Sequence, residues 1–392
     1  MDAYIIDAVR TPRGKAKDTG ALHALRPVDL MSRVLNAVAS RNELDTDVVD
    51  DVVLGCVTQV GDQGANIAKT AALYAGWSDS VPGMTVNRFC SSGLDAIGIA
   101  ASKITAGMDD VVCAGGVESM SRVPMFGDEG AWFADKEVAS ATNFVHMGVA
   151  ADLVASIAGL TREQIDAYAV ESHRRASVAD FSKSMIRIDD ADGELLLDHD
   201  ELIRRGTSTE KLATLEPLFG EMAVAEPIKR RYPDVELRAV HTIASSPGIA
   251  DAASALLLAS KDRANQLGWY PRARIRSVAS VSVEPVQMLH GNISCTQRAL
   301  DKAGLALDDV DLFEVNESFA AVPLQYQQEL DIDPVRLNVC GGAIAMGHPL
   351  GATGGILLAT LLDALVSCNG AIGVTSICGG AGVATAIVVE RV

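Results

Sequence analysis

Two cysteines, a histidine and an asparagine, each beside a turn or a glycine-rich stretch, carry the reactive chemistry of this chain. Cys90 lies in a short β-type run, Met84–Cys90, that breaks at Ser91-Ser92-Gly93. Leu94, Ile97, Ala101 and Ile104 then follow the spacing of one helix face. Ser91 and Ser92 are good helix-start residues. A thiol just ahead of that helix meets unpaired backbone N–H groups and the positive end of the helix dipole. Both favour the thiolate, the nucleophilic form. The sequence therefore predicts that Cys90 is a nucleophile poised as a thiolate.

Three further positions complete a plausible set. His348 stands in a glycine-rich string, 341–354, and precedes Pro349. Proline suits the first turn of the helix that residues 355–362 continue, and it keeps His348 out of helical geometry. Its imidazole, with an ordinary pKa near 6.5, suits proton transfer from a thiol. Cys378 ends the strand-like run 371–377 at a glycine turn, Gly379-Gly380, and strand ends of this kind are where α/β sites are built. Asn316 follows the strand-like run 310–315. Its amide suits either a helix cap or the orientation of a water or an oxyanion.

Composition narrows the class. The chain has 392 residues, 48% hydrophobic and 21% charged, as in an ordinary soluble globular protein of two or three domains. A net charge of −18 opposes nucleic-acid binding, which needs a basic face. No basic leader or 18-residue apolar span is read, so the expectation is a cytoplasmic protein without membrane insertion. The 7 cysteines lack zinc-type spacing and suit free thiols in a reducing compartment. No metal, flavin or redox-nucleotide motif is evident.

Strand-like and helix-like runs alternate, which predicts an α/β fold. Two pairs of segments also resemble each other at nearly the same offset: 51–57 with 311–317, and 112–116 with 377–380. Such pairing suggests a duplicated unit. Residues 119–243 are richer in charge and read as an inserted helical and loop domain, with Thr161–Gln164 spaced as a capping box. The expected division is 1–118 plus about 244–270, then 119–243, then 271–392.

Taken together, Val86–Gly93, Asn316–Ala320, Gly341–Gly354 and Cys378–Gly382 resemble the thiolase family in order and spacing, as do residues 5–14 and 115–122. The resemblance implies a five-layered αβαβα core of two duplicated halves. It implies that Cys90 holds the acyl group, His348 takes its proton, and Cys378 serves the α-carbon and the incoming CoA thiol. Oxyanions would meet water held by Asn316 and His348, and the N–H groups of Cys90 and Gly380. Coenzyme A is then a substrate, not a cofactor. Arg204 and Lys211 align with the nucleotide-contacting stretch, and His146 and Met147 resemble the pantetheine tunnel. Ser246 is the candidate for a CoA-side serine, since Pro247 stands where that serine is usual. Phe89 and Met288 are expected to border the acyl pocket. The chain also departs from the family's glycines at Ala381 and Ala384.

The resemblance favours thiolysis of 3-ketoacyl-CoA by a homodimer or homotetramer paired through an edge strand, and the apolar runs Met84–Val86 and Val111–Ala114 are expected at a sheet edge. Condensation of two acetyl-CoA molecules is the alternative. A ketoacyl synthase fits less well, because its cysteine works with two histidines and Cys378 fills the third position here. A non-catalytic binding protein fits poorly with four intact motifs.

Overall fold

The computed structural model describes residues 2–222 and 226–392. Nine strands form one path of hydrogen-bonded neighbours: β1 (Ala3–Arg10), β2 (Asp51–Gly55), β3 (Met84–Val86), β4 (Val111–Ser119), β5 (Ala250–Ser260), β6 (Ala273–Ser282), β7 (Leu312–Val315), β8 (Ile372–Cys378) and β9 (Val383–Arg391). Their order is β7-β8-β9-β6-β1-β5-β4-β2-β3. The path is two copies of one pattern joined at β1 and β6. In one half β2 pairs parallel with β4, β4 antiparallel with β5, and β5 antiparallel with β1. In the other, β7, β8, β9 and β6 repeat these relations in turn. Among the described residues the two half-sheets pair at Tyr4–Arg274 and Ile5–Ala273.

A matching pair of aspartates reinforces the copy. Asp50 Oδ2 accepts from the N–H groups of Asp110 and Val111, at 2.7 and 2.9 Å. Asp311 Oδ2 accepts from those of Ala371 and Ile372, at 2.7 and 2.8 Å. Each carboxylate anchors the start of the next parallel strand, so 51–57 and 311–317 lie within one residue of equivalent places, whereas the register matches 112–116 with 373–377 and not with 377–380.

The layers follow from side-chain alternation. Along β5, Leu256 and Leu258 face one cluster while Ala255 and Leu257 face another. The first cluster contains α3 (Ser92–Thr105) and α8 (Leu350–Cys368), sandwiched between the two half-sheets. The second contains α1 (Pro27–Arg41) and α2 (Ile67–Tyr74). Outside the other half-sheet lie α6 (Gly291–Ala303) and α7 (Ala321–Leu330). The result is the five-layered αβαβα core. Between β4 and β5 the chain leaves the sheet and forms α4 (Met147–Ile157) and α5 (Arg162–Ala176), where Thr161 and Gln164 do make the capping box.

Two expectations need correction. Helix α8 spans 19 residues at a mean hydropathy of 1.7, so one stretch is long and apolar enough to cross a membrane. It is apolar all round because both its faces meet a sheet, and 89% of its most apolar window is buried. Second, Val111–Ala114 is not a sheet edge, since β4 lies between β2 and β5. The three-residue β3 is the edge of that half, and β7 is the edge of the other.

Glycine brings the two central helices together at their first turns. A Cβ on Gly93 would lie 2.3 Å from the Gly351 carbonyl oxygen, and one on Gly354 would lie 2.0 Å from the Leu94 nitrogen. We expect Gly354→Ala to push the helices apart and to destabilise the fold by about 3 kcal/mol or more. Thermal denaturation checks this, and an unchanged melting temperature would contradict it.

Candidate active site

The contact between α3 and α8 sets Cys90 and His348, which immediately precede those helices, on one cavity. That cavity has a volume of about 250 Å³ and is mainly apolar, with Cys90, His348, Ser318 and Gly380 on its wall. Phe89 reaches a positive φ of 48°, which turns the chain sharply before the cysteine. The two serines do not cap α3. Ser91 Oγ donates to the Ile377 carbonyl at 3.1 Å, and Ser92 Oγ donates to that of Phe89. The first bond ties the Cys90 loop to β8, the strand that carries Cys378.

A buried carboxylate braces the same corner. Glu118, fully enclosed at the end of β4, accepts from the N–H groups of Val57, Thr58 and Gly351 and from Gln63 Nε2. The bond to Gly351, 2.8 Å, fixes the first turn of α8.

Hydroxyl groups orient the reactive side chains. Thr353 Oγ1 donates to the Pro349 carbonyl at 2.8 Å, so towards His348 Nδ1, also at 2.8 Å, it can only accept. The proton of neutral His348 therefore sits on Nδ1, and Nε2 keeps its lone pair, 3.4 Å from Asn316 Nδ2. Asn316 Nδ2 also donates to Ser318 Oγ at 2.9 Å, which frees the Ser318 hydrogen for Cys378 Sγ, 3.3 Å away. Asn292 Nδ2, buried without a hydrogen-bond partner among the described residues, lies near that sulfur. Asn316 is not a helix cap, because α7 begins only after Ala320. Its Oδ1 is buried without a hydrogen-bond partner among the described residues.

The protonation states differ from expectation. Burial pushes the Cys90 thiol up to about 12, nearby Cys378 adds to this, and the N–H groups of Cys90 and Gly380 pull the other way. Burial pushes Cys378 to about 11, with Ser318, its own N–H and Asn292 opposing. Burial, then the Arg13 charge, holds His348 down at about 3. Loss of water around the sulfur outweighs the helix dipole. The resting pair is a neutral thiol and a neutral imidazole, not a thiolate and an imidazolium.

The other predicted positions separate into two groups. His146, Met147 and Ser246 line the cavity. Ser246 Oγ donates to the Thr242 carbonyl at 2.8 Å, and His146 Nδ1 accepts from the Gly148 N–H. Arg204 and Lys211 lie exposed on the insertion and are not on the cavity wall. Lys211 Nζ donates to the Gly206 carbonyl. Met288 is fully buried, and its neighbour Leu289 reaches the wall instead. Ala381 adopts φ 58° and so bears the strain a glycine would avoid. Ala384 is accommodated by Gly291, where a Cβ would come within 2.9 Å of its methyl.

Sequence reasoning passed over Thr353, Ser318, Asn292 and Glu118 as individual actors. Thr353 and Ser318 lie inside the quoted motifs, five residues after His348 and two after Asn316. Asn292 carries no comparable signal, since it comes from the unremarked start of α6.

The sign of the pKa shifts gives a direct expectation. Below about 12 Cys90 is mostly thiol, so its alkylation by iodoacetamide should climb close to tenfold per pH unit from pH 7 to 9. Rates measured by peptide mass spectrometry that stay flat from pH 6 to 9 would instead indicate a resting thiolate.

Comparison with known proteins places the geometry. Residues 3–262 match the thiolase N-terminal domain and residues 269–391 the thiolase C-terminal domain. The chain is 38% identical to the steroid 3-ketoacyl-CoA thiolase of Mycobacterium tuberculosis, over 100% of this chain and 94% of that protein. It is 40% identical to a 3-ketoacyl-CoA thiolase of Cronobacter sakazakii, over 99% of each. The solved acetyl-CoA acetyltransferase of Bacillus anthracis superposes with a TM-score of 0.86 at 32% identity, covering 100% of this chain and 99% of that one. The chain belongs to the thiolase family.

Proposed function

We propose that this protein is an acyltransferase that cleaves a 3-ketoacyl-CoA with CoA, releasing acetyl-CoA and an acyl-CoA two carbons shorter. The observation that carries the reading is the meeting of the Cys90 thiol and the lone-pair nitrogen of His348 on one apolar cavity, with the Cys378 thiol just behind Ser318 on its wall. Relatives named 3-ketoacyl-CoA thiolase along the whole chain support it over the condensing alternative.

In this scheme Cys90 gives its proton to His348 Nε2 as the sulfur attacks the 3-keto carbonyl. The developing oxyanion is placed for donation from Asn316 Nδ2 and protonated His348. The C2–C3 bond then breaks, the acyl group stays on Cys90, and the acetyl-CoA enolate takes its proton from Cys378. In the second half Cys378 removes the proton of incoming CoA. The CoA sulfur attacks the thioester, Cys90 leaves as thiolate, and His348 returns its proton. The N–H groups of Cys90 and Gly380 serve the thioester oxygen. A buried neutral pair suits this sequence, because charge appears only while substrate fills the site and excludes water. Every proton moves between side chains and substrate, so coenzyme A enters as substrate and no cofactor is required.

The same reading assigns His146, Met147 and Ser246 to the pantetheine arm, and Arg204 and Lys211 to the CoA phosphates. It keeps the three-part division at 118/119, 243/244 and 270/271. We further infer a homodimer or homotetramer paired through β3, whose exposed edge would otherwise leave backbone groups unpaired. Seven unpaired cysteines suit a cytoplasmic setting.

Brief exposure to acetyl-CoA should add one acetyl group at Cys90 and at no other cysteine, by mass spectrometry. Cys378→Ala should keep that acylation while exchange of the acetyl α-protons falls by about 100-fold or more. Acetyl found on Cys378 with Cys90 free would refute the assignment. Ser318→Ala is expected to slow α-proton exchange more than acylation, and Thr353→Val to slow acylation more than exchange, each by about tenfold. Equal slowing of both steps in both variants would remove the separate roles given to these hydroxyls.

A further inference from the structure

Cys90 borders a second, smaller cavity of about 50 Å³, which shares Gly380, Met125, Met147 and Leu350 with the first. Its remaining wall is largely aromatic: Phe89, Phe126, Trp132 and Phe133. The indole of Trp132 is the closing piece. Its ring lies 4.9 Å from that of Phe89 and 4.9 Å from that of Phe144. Its edge rests on Gly380, where a Cβ would come within 3.0 Å of Cη2 and Cζ3.

Trp132 sits on a strap that is only lightly fastened. Residues 124–142 make hydrogen bonds among themselves, such as Asp135 Oδ1 with the N–H of Glu137. Among the described residues, the hydrogen bonds that leave the strap are those at its C-terminal end, where the N–H groups of Asn143 and Phe144 donate to the Ser140 and Ala139 carbonyls. The strap is held by its aromatic side chains.

A 3-ketoacyl-CoA attacked at its 3-keto carbon has two arms leaving that carbon, and both need space at Cys90. The CoA arm needs a way out, and the larger cavity reaches solvent past Leu218 and Ile249, which are 50% and 48% exposed. The smaller cavity is left for the acyl arm. Resting on the thiolase reading above, we propose that this cavity receives the acyl tail and that Trp132 determines the tail length accepted at Cys90. At about 50 Å³ against about 250 Å³ for the larger cavity, it fits only a short tail while the indole is in place. A longer tail has to lift the indole from Phe89 and Gly380, and the lightly fastened strap allows it to rise.

The test compares kcat/KM for 3-ketobutyryl-, 3-ketohexanoyl- and 3-ketooctanoyl-CoA in wild type, Trp132→Ala and Trp132→Phe. The ratio of the 3-ketooctanoyl to the 3-ketobutyryl value should rise at least tenfold in Trp132→Ala and less in Trp132→Phe. A ratio within twofold of wild type in both variants overturns the proposal. A wild type that cleaves none of the three overturns the thiolase reading instead. Indole emission of the wild type then still decides the pocket. Octanoyl-CoA should shift it to the red and acetyl-CoA should not, whereas identical emission with both overturns the assignment of Trp132.

Discussion

The near-touching of two helix backbones at Gly93, Gly351 and Gly354 governs the rest of the molecule. Helices α3 and α8 come from different halves, and each is preceded by a reactive residue. Because no side chain separates their first turns, Cys90 and His348 face one cavity although they are far apart in sequence. Glu118 converts proximity into rigidity, since its four hydrogen bonds tie α8 to the loop between β2 and α2 in the other half. A buried carboxylate is costly unless fully bonded, and this one is. The half-sheets themselves share only a short seam between β1 and β6. The central helix pair therefore does much of the work of holding the halves in register.

Burial decides the electrostatics of the site more than any dipole does. A thiol near a helix start would ordinarily be drawn towards its anion, yet Cys90 and Cys378 are both pushed towards the neutral form. The proposed chemistry then depends on orientation. Thr353 fixes which imidazole nitrogen is free, Ser318 turns its hydrogen to Cys378, and one amide nitrogen of Asn316 touches both systems. Such a chain is sensitive to single hydroxyls, because each one sets the direction of the next bond.

Much of this was legible in the sequence, for identifiable reasons. The helix face of Leu94, Ile97, Ala101 and Ile104 is periodic, and all four are buried in the middle layer. The duplicated strands share both pattern and an anchoring aspartate. Local spacing failed where a long-range contact took over. Ser91 looked like a cap but bonds to Ile377, on another strand. Helix α8 is apolar on every side because two sheets enclose it. The thiolate expectation failed because solvent exclusion is a property of the assembled layers and not of residues 84–93. Met288 was placed by its neighbourhood, and a tight turn with φ 39° puts Leu289 at the wall instead.

Duplication also leaves a visible asymmetry. Glu118 and Thr58 are sixty residues apart and are bonded at the end of one half-sheet, and Cys378 and Ser318 are sixty apart at the matching end of the other. At one address the acid group is saturated with donors and serves only as a clamp. Near the end of the other half-sheet Cys378, whose ladder counterpart is Val117, has Ser318 as its hydroxyl neighbour, and Ser318 lines the cavity. Neither half carries the whole set: the first lacks His348 and the second lacks Cys90. Severed at the connection near residue 265, the two pieces would have to reassociate before any turnover appeared.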